Sequence, residues 1–95
     1  MPPNVYHYDE RILEALAGHG LRPLPTTAPE ALRDAVRDLY LFEIRRLRGR
    51  LLAGVFAKRD YAAHVIELRK RYPILSIPLT QWTVPIPGPS GPGLP

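Results

Sequence analysis

Thr27–Gly54 reads TAPEALRDAVRDLYLFEIRRLRGRLLAG, and its reading decides the fold. Thr27 and Glu30 stand in the S/T-x-x-E spacing of a capping box, in which each side chain satisfies a backbone N–H that a helix start leaves open. Pro29 falls in the first turn, where a missing N–H costs nothing. No further proline interrupts the pattern before Gly54, a residue suited to a left-handed helix stop. The spacing therefore predicts one helix over about 29–53. Its apolar residues form two stripes. Leu32, Ala35, Val36, Leu39 and Phe42 cluster on one side early on. Tyr40, Ile44, Leu47, Leu51 and Val55 follow at helical spacing on a face rotated from the first. Two neighbours are expected, one for each half of the helix.

The second neighbour follows in sequence. After the short turn VFAKR, Asp60 is placed to cap a third helix. Tyr61, Val65, Leu68 and Tyr72 repeat at i, i+4, i+7 and i+11, with Ala62 and Ile66 widening the stripe and Pro73 ending it. Helices over about 29–53 and 60–72 thus form an antiparallel hairpin with a connection of ordinary length. A first helix is expected over about 10–17. Asp9 is its N-cap, Ile12, Leu13 and Leu16 form its dry side, and Gly18 and Gly20 offer stop positions. Pro23 and Pro25 forbid helix in the link that follows.

The fold class read from this is all-α: three helices with a long central one, and a proline-rich arm at the C-terminus. Residues 1–8 form an N-terminal arm, 9–73 the helical domain and 74–95 the C-terminal arm. The last of these is first apolar with period two, at Leu75, Ile77 and Leu79 and then Trp82, Val84 and Ile86. It ends rich in Pro and Gly, so it is expected to be extended.

The segment RRLRGRLLAGVFAKRDYAAHVIELRKRY resembles the short helical hairpins called SHOCT domains. Those carry a leucine-bearing helix, a turn of glycine and apolar residues, an acidic cap, an aromatic and a second helix, in that order. The resemblance covers under a third of the chain, and the acidic run usual after the turn is missing. What it implies is hairpin architecture.

Ninety-five residues make at most one domain with a thin core. There is no cysteine to reinforce it with a disulfide or a thiolate metal site. No apolar run approaches the roughly 20 residues needed to span a bilayer. MPPNVYHYDE lacks the basic-then-apolar layout of a signal peptide, so the expected compartment is the cytoplasm. Charge is unevenly spread. Residues 1–43 hold four basic and seven acidic residues, whereas residues 44–95 hold nine basic and two acidic.

The basic excess sets the functional expectations. Arg45 and Arg48 project away from Leu47, on the wet side of the helix. Arg46 and Arg50 flank its other edge. Lys58, Arg59, Lys70 and Arg71 add to the same half of the chain. Glu43–Arg46 and Glu67–Arg71 are the pairs with good intrahelical geometry, which leaves most of the charge free. Arg45, Arg48, Lys58, Arg59, Lys70 and Arg71 are the candidate surface for an anionic partner. A soluble helix face with no ligand produces the same pattern. An acidic protein is the favoured partner and nucleic acid the alternative, because no helix-turn-helix, zinc-finger or RNA-recognition signature accompanies the charge. The apolar arm supplies a second candidate: Leu79, Trp82, Val84 and Ile86 as a docking strip for a protein. Folding of that arm back onto the hairpin is the competing reading.

Catalytic, cofactor and metal sites are not expected. Ser76 and Ser90 lie in the arm, and the carboxylates fall mostly on wet faces. His64-x-x-Glu67 has no second pair to make a di-iron set. Asp60 and His64 are expected to touch near the helix start, and His19 to sit in a Gly-His-Gly stop. The sequence thus suggests a small non-enzymatic interaction protein, an accessory subunit or assembly factor. A nucleic-acid-binding protein is the alternative.

Overall fold

The computed structural model describes residues 5–85. They form a mostly helical structure with three α-helices: α1 (Glu10–Gly18), α2 (Pro29–Leu52) and α3 (Tyr61–Lys70). A two-stranded antiparallel sheet joins β1 (His7–Tyr8) to β2 (Thr83–Val84), with His7 opposite Val84 and Tyr8 opposite Thr83. The fold is therefore not purely helical, because the two arms pair with each other.

The helix ends follow local rules except at two helix starts. Asp9 caps α1 by accepting the Arg11 N–H at 2.8 Å. Gly20 has φ 78° and Gly54 φ 76°, a backbone region that L side chains resist. Each closes its helix with a paired set of bonds. Leu21 N–H donates to the Leu16 carbonyl and Gly20 N–H to Ala17; Val55 N–H donates to Arg50 and Gly54 N–H to Leu51. The first is the start of α2. Its cap is Ala28, with no side-chain bond. Pro29 takes the first helical position, which leaves Thr27 one residue too early to cap. The Thr27 hydroxyl instead accepts the Leu24 N–H at 3.0 Å and closes the preceding turn. Asp60 likewise makes no side-chain cap, because Lys58–Asp60 is a 3-10 turn that runs into α3 with helical backbone. Ala62 and Ile66 do not widen the buried stripe of α3; both are exposed.

The C-terminal arm departs most from expectation. Residues 73–81 are not an extended segment, and only Thr83–Val84 beyond them is a strand. Pro73–Ser76 and Leu79–Gln81 are 3-10 turns, and each follows or begins at a proline. The fixed φ of proline suits a first helical position. The Ser76 hydroxyl donates to the Pro73 carbonyl at 2.8 Å and tightens the first turn. The arm lies against α1 and α2 and carries Ile74 and Trp82 into the core. That core also holds Ile12 and Leu16 of α1, Leu32 and Val36 of α2, and Leu68 and Tyr72 from the α3 end. Leu32, Val36 and Leu39 of the early stripe thus pack in the core with α1 and the arm, and Leu47 of the later one packs beside α3, whereas Phe42 and Val55, expected in the two stripes, are exposed.

Trp82 is 0% exposed. Its indole N–H donates to the Ile77 carbonyl at 2.9 Å, so the buried polar end is satisfied. Its backbone carbonyl accepts the Asp9 N–H at 3.0 Å, which ties the arm to the start of α1. Burying an indole removes roughly 150–250 Å² from water. At about 25 cal/mol/Å² that contributes roughly 4–6 kcal/mol, as an upper bound. A domain of this size has a total stability of about 5–15 kcal/mol. Trp82→Ala is therefore expected to cost about 3–5 kcal/mol and to leave the chain partly unfolded at 37 °C. Circular dichroism melts and urea titration measure this. A helical, cooperatively melting variant would show that the arm is dispensable.

Candidate functional site

The Trp82 docking expectation is corrected by this packing. The indole is enclosed by the chain's own core and has no surface left for a partner. Leu79 is half-buried against the same core, Val84 is exposed beside β1, and Ile86 lies outside the described residues.

The basic residues separate into distinct places. α2 and α3 pack with Leu47 and Leu68 in their seam, and an open groove of about 490 Å³ runs along one side of it. Arg46 and Arg50 line it from α2; His64 and Lys70 line it from α3, and Arg71 from the C-cap position of α3. Glu43 and Glu67 stand in the same groove. Of the predicted anion surface, then, the structure brings Lys70 and Arg71 together, but with Arg46 and Arg50 instead of Arg45 and Arg48. The rotation of α2 is set by its buried residues. With Leu47 facing α3 and Leu32 and Val36 facing the core, Arg46 and Arg50 point along the groove edge. Arg45 and Arg48 point outward. Lys58 and Arg59 belong to the exposed turn at the hairpin tip.

The ion pairs also differ from the intrahelical set. Glu67 pairs with Lys70 at 3.0 Å, one residue short of the expected Arg71. Glu43 pairs across the hairpin with Arg71 at 3.5 Å, not with Arg46. The Arg46 guanidinium lies 6.0 Å from the Phe42 ring centre. Among the described residues, Arg46 and Arg50 have no carboxylate partner.

An aromatic cluster that meets the groove's Glu43 through Tyr72 had no sequence signal beyond helical spacing. His19, from the α1 stop, stacks on Tyr72 with ring centres 4.2 Å apart and planes at 16°. Tyr40 of α2 meets the same ring edge-on at 5.3 Å. The Tyr72 hydroxyl donates to the Glu43 carboxylate, which also faces Arg71. One side chain thus joins α1, α2 and the end of α3. His64 does not contact Asp60 as expected; its ring lies 4.1 Å from that of Phe56 in the hairpin turn. Among the described residues, no three His, Asp or Glu side chains converge as a metal site requires. No helix among them is long and apolar enough to cross a membrane.

Searches of protein-family models, of curated proteins and of solved structures found no match to this chain. The resemblance of the hairpin segment to SHOCT domains gains no support from them.

Burial pushes the Tyr72 hydroxyl up to about 12, and the adjacent Glu43 carboxylate adds to the effect. Tyr8 is also pushed up to about 12, mainly by burial; its hydroxyl donates to the Thr27 carbonyl. Both groups stay protonated in the fold above the pH at which they ionise in the unfolded chain, about 10. Their contribution is complete below about pH 10 and is lost as pH rises towards 12. Alkaline unfolding should begin in that window. Tyr72→Phe removes one of the two ionisations, so its stability deficit relative to the wild type should shrink from pH 9 to 11.5. Urea melts across that range, with tyrosinate absorbance, would reveal it. A deficit independent of pH would contradict the assigned environment.

Proposed function

We propose that this chain is a small non-enzymatic protein-interaction module, an accessory subunit or assembly factor, whose α2–α3 groove receives an acidic segment of a protein partner. The observation that carries the reading is the groove itself. Arg46 and Arg50 stand along it without carboxylate partners among the described residues, beside Lys70 and Arg71 from the facing helix. Such a cleft, cationic on both walls, attracts anionic groups and speeds encounter with them.

Glu43 and Glu67 in the same groove favour a protein over a nucleic acid. A continuous phosphate chain would pass two carboxylates and lose there part of what it gains at the arginines. A peptide carries separated carboxylates with neutral and basic positions between them, which fits a groove of mixed sign. Docking through Trp82 has no place in this reading, because that side chain belongs to the core.

The test is a tagged pull-down from the source cell's lysate with and without nuclease, comparing the wild type with Arg46→Glu/Arg50→Glu. Both residues are exposed, so the double variant keeps the fold, as circular dichroism can verify. The reading predicts a stoichiometric protein that survives nuclease and is retained about tenfold less by the variant. Capture that disappears with nuclease would instead support the nucleic-acid alternative. A partner retained equally by the variant would place the interface outside the groove.

A further inference from the structure

The outer face of α2 is separate from the groove and has its own pattern. Asp34, Asp38, Leu41, Arg45, Arg48 and Leu52 are spaced by four, three, four, three and four residues. That is the seam spacing of a helix that packs along its length on another. All six are exposed. Leu52 is 83% exposed, and Phe42, adjoining the middle of the seam, is 56% exposed. Among the described residues no element covers the face, although Leu41, 40% exposed, borders a hollow shared with Leu75 of the arm.

The order of charge along the seam is the second observation. Its N-terminal half is acidic, its centre apolar and its C-terminal half basic. A helix carrying this order is complementary to itself when turned end for end. Asp34 and Asp38 of one copy then meet Arg45 and Arg48 of the other, twice over, and the two Leu41–Phe42 centres meet at the two-fold axis. In a parallel arrangement like charges would meet. Asp38, Arg45 and Arg48 have no ion-pair partner among the described residues, while Asp34 holds an exposed i,i+3 pair with Arg37.

Gly49 is the third. It sits inside α2, where glycine costs about 1 kcal/mol relative to alanine. Nothing among the described residues requires it, since a Cβ added there would meet none of their atoms within 4 Å. It lies on this same outer face, between Arg45 and Leu52. A missing side chain there lets a second helix backbone come close.

We propose that the outer face of α2 is a homodimer interface, in which two copies pack their α2 helices antiparallel about a two-fold axis at Leu41 and Phe42. The seam runs over 19 residues, from Asp34 to Leu52, about 27 Å at 1.5 Å per residue. An interface of that length falls at the small end of specific contacts, below about 1,200 Å² in total. The dimer is accordingly concentration-dependent in the micromolar range and weakened by salt. It leaves the groove between α2 and α3 open, so it is independent of what binds there.

Sedimentation equilibrium over roughly 1–500 µM at low salt tests this on the full chain. The wild type should shift from monomer to dimer. Asp34→Lys/Asp38→Lys and Arg45→Glu/Arg48→Glu each place like charges opposite one another, and each should weaken self-association at least about tenfold. Mixing the two variants restores opposite charges at every position and should recover association as a heterodimer. Circular dichroism verifies that both variants fold. A wild type that stays monomeric throughout overturns the proposal. So does self-association that survives both reversals, or variants that fail to combine on mixing.

Discussion

The enclosure of Trp82 is the contact on which the rest of the structure depends. The helical hairpin has a narrow seam: Leu68 is the buried residue of α3, and of the four buried in α2 only Leu47 lies in its second half. The hairpin, through Leu68 and Tyr72, encloses Leu32 and Val36 only in part, and a further element completes the enclosure. The arm after α3 does so, by returning through two 3-10 turns and setting the indole against them and against Ile12 and Leu16. The bond from Asp9 N–H to the Trp82 carbonyl and the β1–β2 pair then join the two arms. A chain of this length has little core to spare. One indole contributes an appreciable fraction of the net stability.

This arrangement also determines what the surface can do. Because the arm and α1 take one face of α2 and α3 takes another, the helix is fixed in rotation. Its closely spaced arginines are thereby divided. Arg46 and Arg50 border the groove with α3, and Arg45 and Arg48 join the outer seam. The cluster that looks continuous in sequence is two surfaces with different electrostatic surroundings. In the groove, cations face cations and carboxylates across two helices. On the outer seam, acidic and basic halves follow one another along a single helix.

Most of the helical architecture was legible because it rests on local rules. The 3.6-residue period of Leu32, Val36 and Leu39, the left-handed Gly20 and Gly54, and the Asp9 cap all act within one turn of the chain. The failures have a common physical origin in longer-range competition. Thr27 looked like a cap until Pro29 moved the first helical position one residue on, which left Ala28 in the cap site. The alternation of Leu75, Ile77 and Leu79 suggested an extended strand. Prolines at 73 and 78 favour tight turns instead, and the core selects them. The groove was only half visible. Lys70 and Arg71 were picked out by charge, but the choice between Arg45–Arg48 and Arg46–Arg50 depends on where α3 packs. The His19–Tyr72–Tyr40 stack joins residues far apart in sequence, and no spacing rule connects them.

The most direct test of this account uses the chain's single tryptophan as its own probe. Native fluorescence would be recorded with acrylamide quenching, and then followed through urea denaturation alongside helical circular dichroism. An enclosed indole predicts blue-shifted emission, weak quenching, and a red shift that coincides with the loss of helix in one transition. Red-shifted, freely quenched emission from a protein whose helices are intact would show that the arm stands away from the hairpin, and would contradict the core described for this fold.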